Sequence, residues 1–244
     1  MVSTLPKAEG GNFAPTPAGT FIARCYRFLD LGSHEQMFQG ESKGLKRLVM
    51  IGFELPTELM TTGEYAGKPF TIHKRYTWST HEKATMRKDL EAWRGKKFND
   101  HEFGPGGFDV RNLLGVPCTL SIAHSEKDGS VYANITGIGP AMKGVKLPEA
   151  INPTVFLDLE PEAFDRDVFA GLSEKLQKFI AESPEYHKLF GAAPKANGYA
   201  GAKGAQPRYN QAPLDDDDDD GGHRPFAPID ADLNDTIPFA PEWR

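Results

Sequence analysis

From Gly19 the chain alternates bulky and polar residues. In TFIARCYRFLDLG, Phe21, Ala23, Cys25 and Leu29 share one parity, the pattern of a half-buried strand. Arg27 falls on that same parity, so a bulge or a wet end must interrupt this strand. GLKRLVMIGFELP predicts a second strand, long and nearly continuous in apolar residues, and KPFTIHKRYTWS a third, with Phe70, Ile72, Tyr76 and Trp78 on one parity and Lys74 among them. A helix is expected next. Ser79-x-x-Glu82 fits a capping box, Ala84, Met86, Leu90 and Trp93 recur at helical spacing, and Gly95 stands where a C-terminal cap falls.

Two further strands follow the loop KKFNDHEFGPGGFDVRNLLG. VPCTLSIAHS places Val116, Cys118, Leu120 and Ile122 on one face, and SVYANITGIG places Val131, Ala133 and Ile135 on one face with Tyr132 on the other. The short EKDG segment joins them as a hairpin. Three strands, a helix and two strands is the order of a five-stranded OB-like barrel with its helix between strands three and four. The fold class expected is therefore mainly β with α, although a generic α+β sandwich also fits this order.

Beyond the barrel, residues 158–190 read as helical. Pro161 suits a first helical position, and Phe164, Val168, Leu172, Leu176, Phe179 and Ile180 form an apolar stripe. Ser183-Pro184-Glu185 starts a short second helix that stops near Gly191. The acidic residues Asp158, Glu160, Glu162, Asp165 and Asp167 suit a helix N-terminus without any metal. The organisation expected is a flexible arm (1–18), an OB-fold nucleic-acid-binding domain (19–146), a helical extension (147–190), a Gly/Ala/Pro linker (191–214) and a disordered acidic tail (215–244).

Charge changes the picture more than total composition does. Residues 1–146 hold 19 Lys+Arg against 15 Asp+Glu, a net +4, whereas residues 147–190 and 191–244 each carry −5 within a chain of net −6. A basic body followed by acidic segments suggests a polyanion-binding face and an interaction tail. No stretch approaches the apolar length of a membrane span, and the first residues lack a secretion signal, so a cytoplasmic protein is expected and the sequons at Asn134 and Asn234 are discounted. Cys25 and Cys118 lie in apolar, strand-like runs and read as reduced core thiols.

Phosphate-cradling, zinc-protease and serine-hydrolase motifs are absent, and the seven histidines are scattered singly, so no catalytic residue, metal or cofactor is assigned. The stretch from Lys68 to Phe98 is different in kind. It carries nine Lys+Arg, three Asp+Glu and five Phe/Tyr/Trp, a net +6. Cations neutralise phosphates and release counterions, while flat rings stack on unpaired bases. The candidate nucleic-acid contacts are Lys74, Arg75, Tyr76, Trp78, Arg87, Arg94, Lys96 and Lys97 from or beside this stretch, Arg24, Tyr26 and Phe28 on a shared parity of the first strand, Lys46 and Arg47 opening the second, and Tyr132. Trp93 lies on the apolar stripe of the helix and reads as core.

The tail joins the aspartate run Asp215, Asp216, Asp217, Asp218, Asp219 and Asp220 to two copies of Pro-Phe-Ala-Pro, at 225–228 and 238–241. A tethered polyaspartate mimics phosphates at high effective concentration and can occupy a basic groove until nucleic acid displaces it. DLNDTIPF, residues 232–239, resembles the acidic tip that closes bacterial single-stranded-DNA-binding proteins and recruits replication and repair enzymes. ARCYRFLDLG, MIGFELP and EKATMRKDLEAWRGKKF resemble single-stranded-DNA-binding proteins of bacteriophage replication systems, over roughly residues 19–146.

That resemblance implies an OB fold that coats single-stranded DNA with little sequence preference during replication, recombination and repair. It also implies a tail that recruits partner proteins through Asp235, Ile237, Pro238 and Phe239, within a host cytoplasm if phage-encoded; Phe226 and Trp243, which phosphate mimicry does not need, are further candidate partner contacts. The tip departs from the bacterial pattern because Ala240 to Arg244 follow Phe239, so docking through a terminal phenylalanine carboxylate must be absent or replaced. The alternatives are a protein-interaction adaptor using barrel and tail, and a metal-dependent nuclease. Oligomeric state and DNA-versus-RNA preference are not legible.

Overall fold

The computed structural model describes residues 15–38, 41–63, 65–127, 130–142, 144–145 and 149–191. Among the described residues six strands and four α-helices follow one another as β1 (Gly19–Phe38), β2 (Glu41–Leu59), β3 (Pro69–Thr77), α1 (Thr85–Arg94), β4 (Pro117–Lys127), β5 (Ser130–Pro140), β6 (Val155–Leu157), α2 (Arg166–Ala170), α3 (Glu174–Ala181) and α4 (Pro184–Phe190). The helix between the third and fourth strands is where the periodicity puts it. The expected barrel closure is not found: the sheet is open, in the order β3-β2-β1-β4-β5, and a sixth strand pairs with β1.

β1 organises the molecule because it changes partners along its length. It pairs with β2 from Arg24 to Phe38, with β4 from Gly19 to Arg24, and in parallel with β6 from Arg27 to Leu29. The exchange happens at a register shift between Cys25 and Arg27, the bulge that the parity conflict at Arg27 required. One inserted residue reverses which parity faces which side. Ala23 and Cys25 before the bulge and Phe28 after it therefore enter the same core, while Leu29 and Leu31 enter another.

The first core lies under α1, where Phe53, Ile72, Tyr76, Met86, Leu90, Trp93 and Leu120 pack together. The second lies on the opposite side of β1 and β2, where Leu29, Leu31, Leu48 and Met50 meet Leu157, Leu159, Leu172, Leu176 and Ile180. β2 is thus covered on both faces from Leu48 to Pro56, which explains its nearly continuous apolar run. The C-terminal extension shares this second core with the sheet.

Two fully buried carboxylates fasten the chain between β5 and α2 onto that sheet. Glu54 accepts hydrogen bonds from the amides of Ile151 (3.3 Å) and Asn152 (2.8 Å) and from Asn152 Nδ2 (2.9 Å). Asp30 accepts from the amides of Gly32 (3.0 Å) and Leu159 (3.4 Å) and from the Arg47 guanidinium. Buried amides need such partners, because an orphaned one costs about 1–3 kcal/mol.

Two local expectations change. α1 begins at Thr85 with Ala84 as its N-cap and no capping side chain; the Ser79 hydroxyl instead accepts from the His81 amide in the preceding turn. Gly95 does end the helix in the left-handed conformation. The helix expected from Pro161 is instead two, α2 capped by Asp165 and α3 capped by Ser173, whereas the second expected helix is found as α4, capped by Ser183 and ending at Gly191. The break between α2 and α3 leaves Val168 on the first, Leu176, Phe179 and Ile180 on the second, and Phe164 and Leu172 in the segments before them. Gly32 is required where α4 begins, since its φ is +79° and a Cβ there would lie 2.3 Å from that of Ser183.

Candidate nucleic-acid interface

The structure divides the expected aromatic contacts between core and surface. Phe28 is 0% exposed in the first core, so it does not present a ring alongside Arg24 and Tyr26. The bulge separates the three residues that simple alternation had put on one face. Tyr26 is buried with its hydroxyl 2.9 Å from His73 Nε2, and burial, the largest influence, raises its pKa. Tyr76 is buried too and donates to Asp89 Oδ2 at 2.9 Å; burial and the neighbouring carboxylate push its pKa well up. Neither phenol ionises near neutral pH. Trp93 is core, as expected, with its indole N–H donating to the Pro117 carbonyl at 2.9 Å.

Trp78 and Tyr132 remain half-exposed. Trp78 stands just past β3, edge-on to Phe28 at 5.8 Å, with the Arg47 guanidinium 4.9 Å from its ring centre. Tyr132 lies on β5 opposite Ser125.

Most of the expected cations carry carboxylate partners within the fold. Lys74 Nζ is 2.7 Å from Asp89 Oδ2 and lies over the Tyr76 ring. Arg87 Nε reaches Glu91 Oε1 at 2.9 Å and Nη1 donates to the Thr80 carbonyl. Arg94 pairs with Glu102 and sits 4.2 Å from the Phe98 ring centre. Arg24 lies 3.7 Å from Glu54, and Arg47, its side chain 31% exposed, contacts Asp30, Asp158 and Glu160. Arg75 packs over Phe179 of α3.

These pairs act on the acids as well as the bases. Glu91 is held below the ordinary glutamate range, first by the Phe98 amide and then by Arg87. Glu102 is likewise lowered, first by Arg94 and then by the Asn99 amide. A guanidinium held between a carboxylate and an aromatic ring is part of the scaffold, and a phosphate would have to compete for it.

Lys46 is half-buried on β2 opposite His34, while Lys96 and Lys97 stand exposed after α1. Lys83 and Lys88 are exposed as well, so ammonium groups line α1 and both of its flanks. Phe156 on β6 and Arg111 in the 110–113 turn also lie at the surface beside this core, and sequence reading missed both. Phe156 fell in a segment too short to show periodicity, and Arg111 stands in a loop. The tail contacts, Asp215 to Asp220, Phe226, Asp235, Ile237, Pro238, Phe239 and Trp243, fall outside the described residues.

Among the described residues no group of three or more His, Cys, Asp or Glu side chains is placed to hold a metal ion, and no helix is long and apolar enough to cross a membrane. Both cysteines are free and buried; burial pushes the Cys25 thiol up to about 12 and the Cys118 thiol well up, so both stay protonated. No protein-family model matches the chain, and no curated protein matches it either.

Proposed function

We propose that this protein binds single-stranded nucleic acid, with single-stranded DNA as the intended substrate, through an OB-type sheet and without catalysis. One observation carries the reading. β3 and α1 come from the stretch of net charge +6, α1 packs against β5 and β3, the two ends of the strand order, and Lys83, Lys88, Lys96 and Lys97 on α1 and its flanks are exposed. A run of exposed ammonium groups beside an open β-sheet suits a phosphate chain whose bases turn toward the sheet.

The strand order β3-β2-β1-β4-β5 with a helix after β3 supports the same reading, because a partly open five-stranded sheet with that insertion is the OB arrangement. β6 and the C-terminal helices are then additions packed on its outer side. The acidic tail recruits partner proteins, as its resemblance to the bacterial tip implies, and competes for the basic surface. Replication, recombination or repair of a phage-type genome is the setting proposed.

The test is binding of a labelled oligo-dT to the full chain by fluorescence anisotropy, with a duplex of equal length as competitor. The reading requires that single strands bind and that the duplex competes poorly. Equal competition by the duplex, or no binding, removes it. Deleting residues 215–244 should leave oligo-dT binding intact or tighter, and loss of binding on deletion would refute the competing role of the tail.

A further inference from the structure

A row of alternating charge and aromatic surface crosses the end of the first core. The Arg111 guanidinium lies 4.8 Å from the Phe156 ring centre, Phe156 stacks on Phe28 at 5.8 Å and 20°, Phe28 meets Trp78 edge-on at 5.8 Å, and Arg47 lies 4.9 Å from Trp78. The middle ring is fully buried, whereas Trp78 and Phe156 on either side of it are half-exposed. The two rings therefore reach solvent on either side of the buried Phe28.

The two cations differ. Arg47 is committed to Asp30, but among the described residues the Arg111 guanidinium contacts the Phe156 ring and no carboxylate. Arg111 is itself exposed. A guanidinium over a ring keeps its N–H edge free for an anion while its face stays on the aromatic surface. Phe28 and Arg111 take the two faces of Phe156, so the surface left for a flat group is the outer face of the Arg111 guanidinium that Phe156 carries, with Trp78 farther along the row. An anion at the guanidinium edge with a flat group on its face describes a nucleotide.

Resting on the proposed function, we propose that Arg111, Phe156 and Trp78 form its principal base-stacking site, in place of the buried Tyr26, Phe28 and Tyr76. β6 then has a role beyond packing, because its parallel pairing with β1 sets Phe156 at the end of the core. The C-terminal segment thereby supplies part of the binding surface. The shared chemistry is an unpaired nucleotide, and matched oligo-dT and oligo-rU separate DNA from RNA.

The experiment measures oligo-dT and oligo-rU affinity of the full chain against salt for the wild type, Arg111→Ala, Phe156→Leu and the control Arg166→Ala. Arg166 lies over Phe190 with the same cation-on-ring geometry outside the row. Arg111→Ala should weaken binding and make the log–log salt slope shallower by about 0.7, the value of one phosphate contact on a single strand. Phe156→Leu should weaken binding about 5- to 150-fold with the slope unchanged. Arg166→Ala should bind as the wild type does.

If the wild type binds and both Arg111→Ala and Phe156→Leu match it, the stacking site is wrong while the proposed function stands. If Arg166→Ala loses as much as Arg111→Ala, general charge explains the effect and the site is again wrong. If the wild type does not bind, the functional reading fails and takes the site with it. Urea midpoints check that Phe156→Leu is folded; should it not be, the exposed Arg111 variant decides alone.

Discussion

The Asp30 carboxylate of β1 is fully buried and accepts hydrogen bonds both from the Arg47 guanidinium of β2, with Nε at 3.2 Å from Oδ2, and from the Leu159 amide at 3.4 Å. One side chain thus joins the central hairpin to the C-terminal extension. Removing it orphans the buried Leu159 amide, while the partly exposed Arg47 guanidinium keeps Asp158 and Glu160. Asp30→Ala should lower stability by about 1–3 kcal/mol, the range for a buried polar group left without its partner. Urea unfolding checks this, and a loss below about 1 kcal/mol would show that the pair contributes little.

Glu54 has the matching task at the start of the same segment, through Ile151 and Asn152. Glu54→Gln keeps the shape but turns one acceptor into a donor facing amide donors. The expected result is local: hydrogen exchange at Ile151 and Asn152 accelerates at least tenfold, while amides of α1 keep their protection. Equal acceleration in α1 would mean that the segment and the sheet open together.

Gly52 on β2 has no room for a side chain, because a Cβ would lie 2.6 Å from His73 Cδ2 and 3.0 Å from Arg27 Cβ. Gly52→Ala should destabilise by about 1–3 kcal/mol through overpacking. In a His73→Ala background most of that penalty should vanish, and a double-mutant cycle measures the difference. Full additivity would place the strain elsewhere.

His34 stacks on Phe179 of α3 with ring centres 3.8 Å apart, and its Nε2 lies 2.8 Å from the Leu31 carbonyl. Burial, the largest influence, lowers its pKa; the Leu31 carbonyl opposes this next, Arg75 lowers it further, and Glu182 and Glu185 raise it by less, for a net lowering. The unfolded chain therefore binds a proton that the folded chain resists. Stability is full above the ordinary histidine value of about 6.5 and falls as pH drops below it.

Glu91, Glu102 and Glu185, all lowered, lose their contributions only on acidification through the carboxylate range. The two windows are separate. Melting temperature should decline between about pH 6.5 and 5 in the wild type and decline less in His34→Gln. An identical decline in both would clear His34 of the effect.

How much of this was legible follows from the residues themselves. The strand–helix order was readable because β1, β3, β4 and β5 alternate, β2 is a long apolar run and α1 has helical spacing, and Arg27 marked an interruption of β1 by breaking parity. β6 was not readable, since three residues have no period, and its place depends on β1 having an open edge beyond the bulge. The candidate site was partly legible. Composition identified a basic, aromatic stretch, but it cannot tell a cation bound to Glu91 or Glu102 from one facing solvent, nor a ring packed against Trp93 from one facing a base. Those distinctions depend on tertiary partners far away in the chain.

The central claim is that a phosphate chain is held by exposed cations of the folded body. The most direct measurement is the affinity of the full chain for oligo-dT across about 50 to 200 mM salt. The account predicts measurable binding at the low end that falls linearly on a log–log plot, with a slope between about −1 and −4. Affinity that is absent at low salt, or flat across the range, would contradict it.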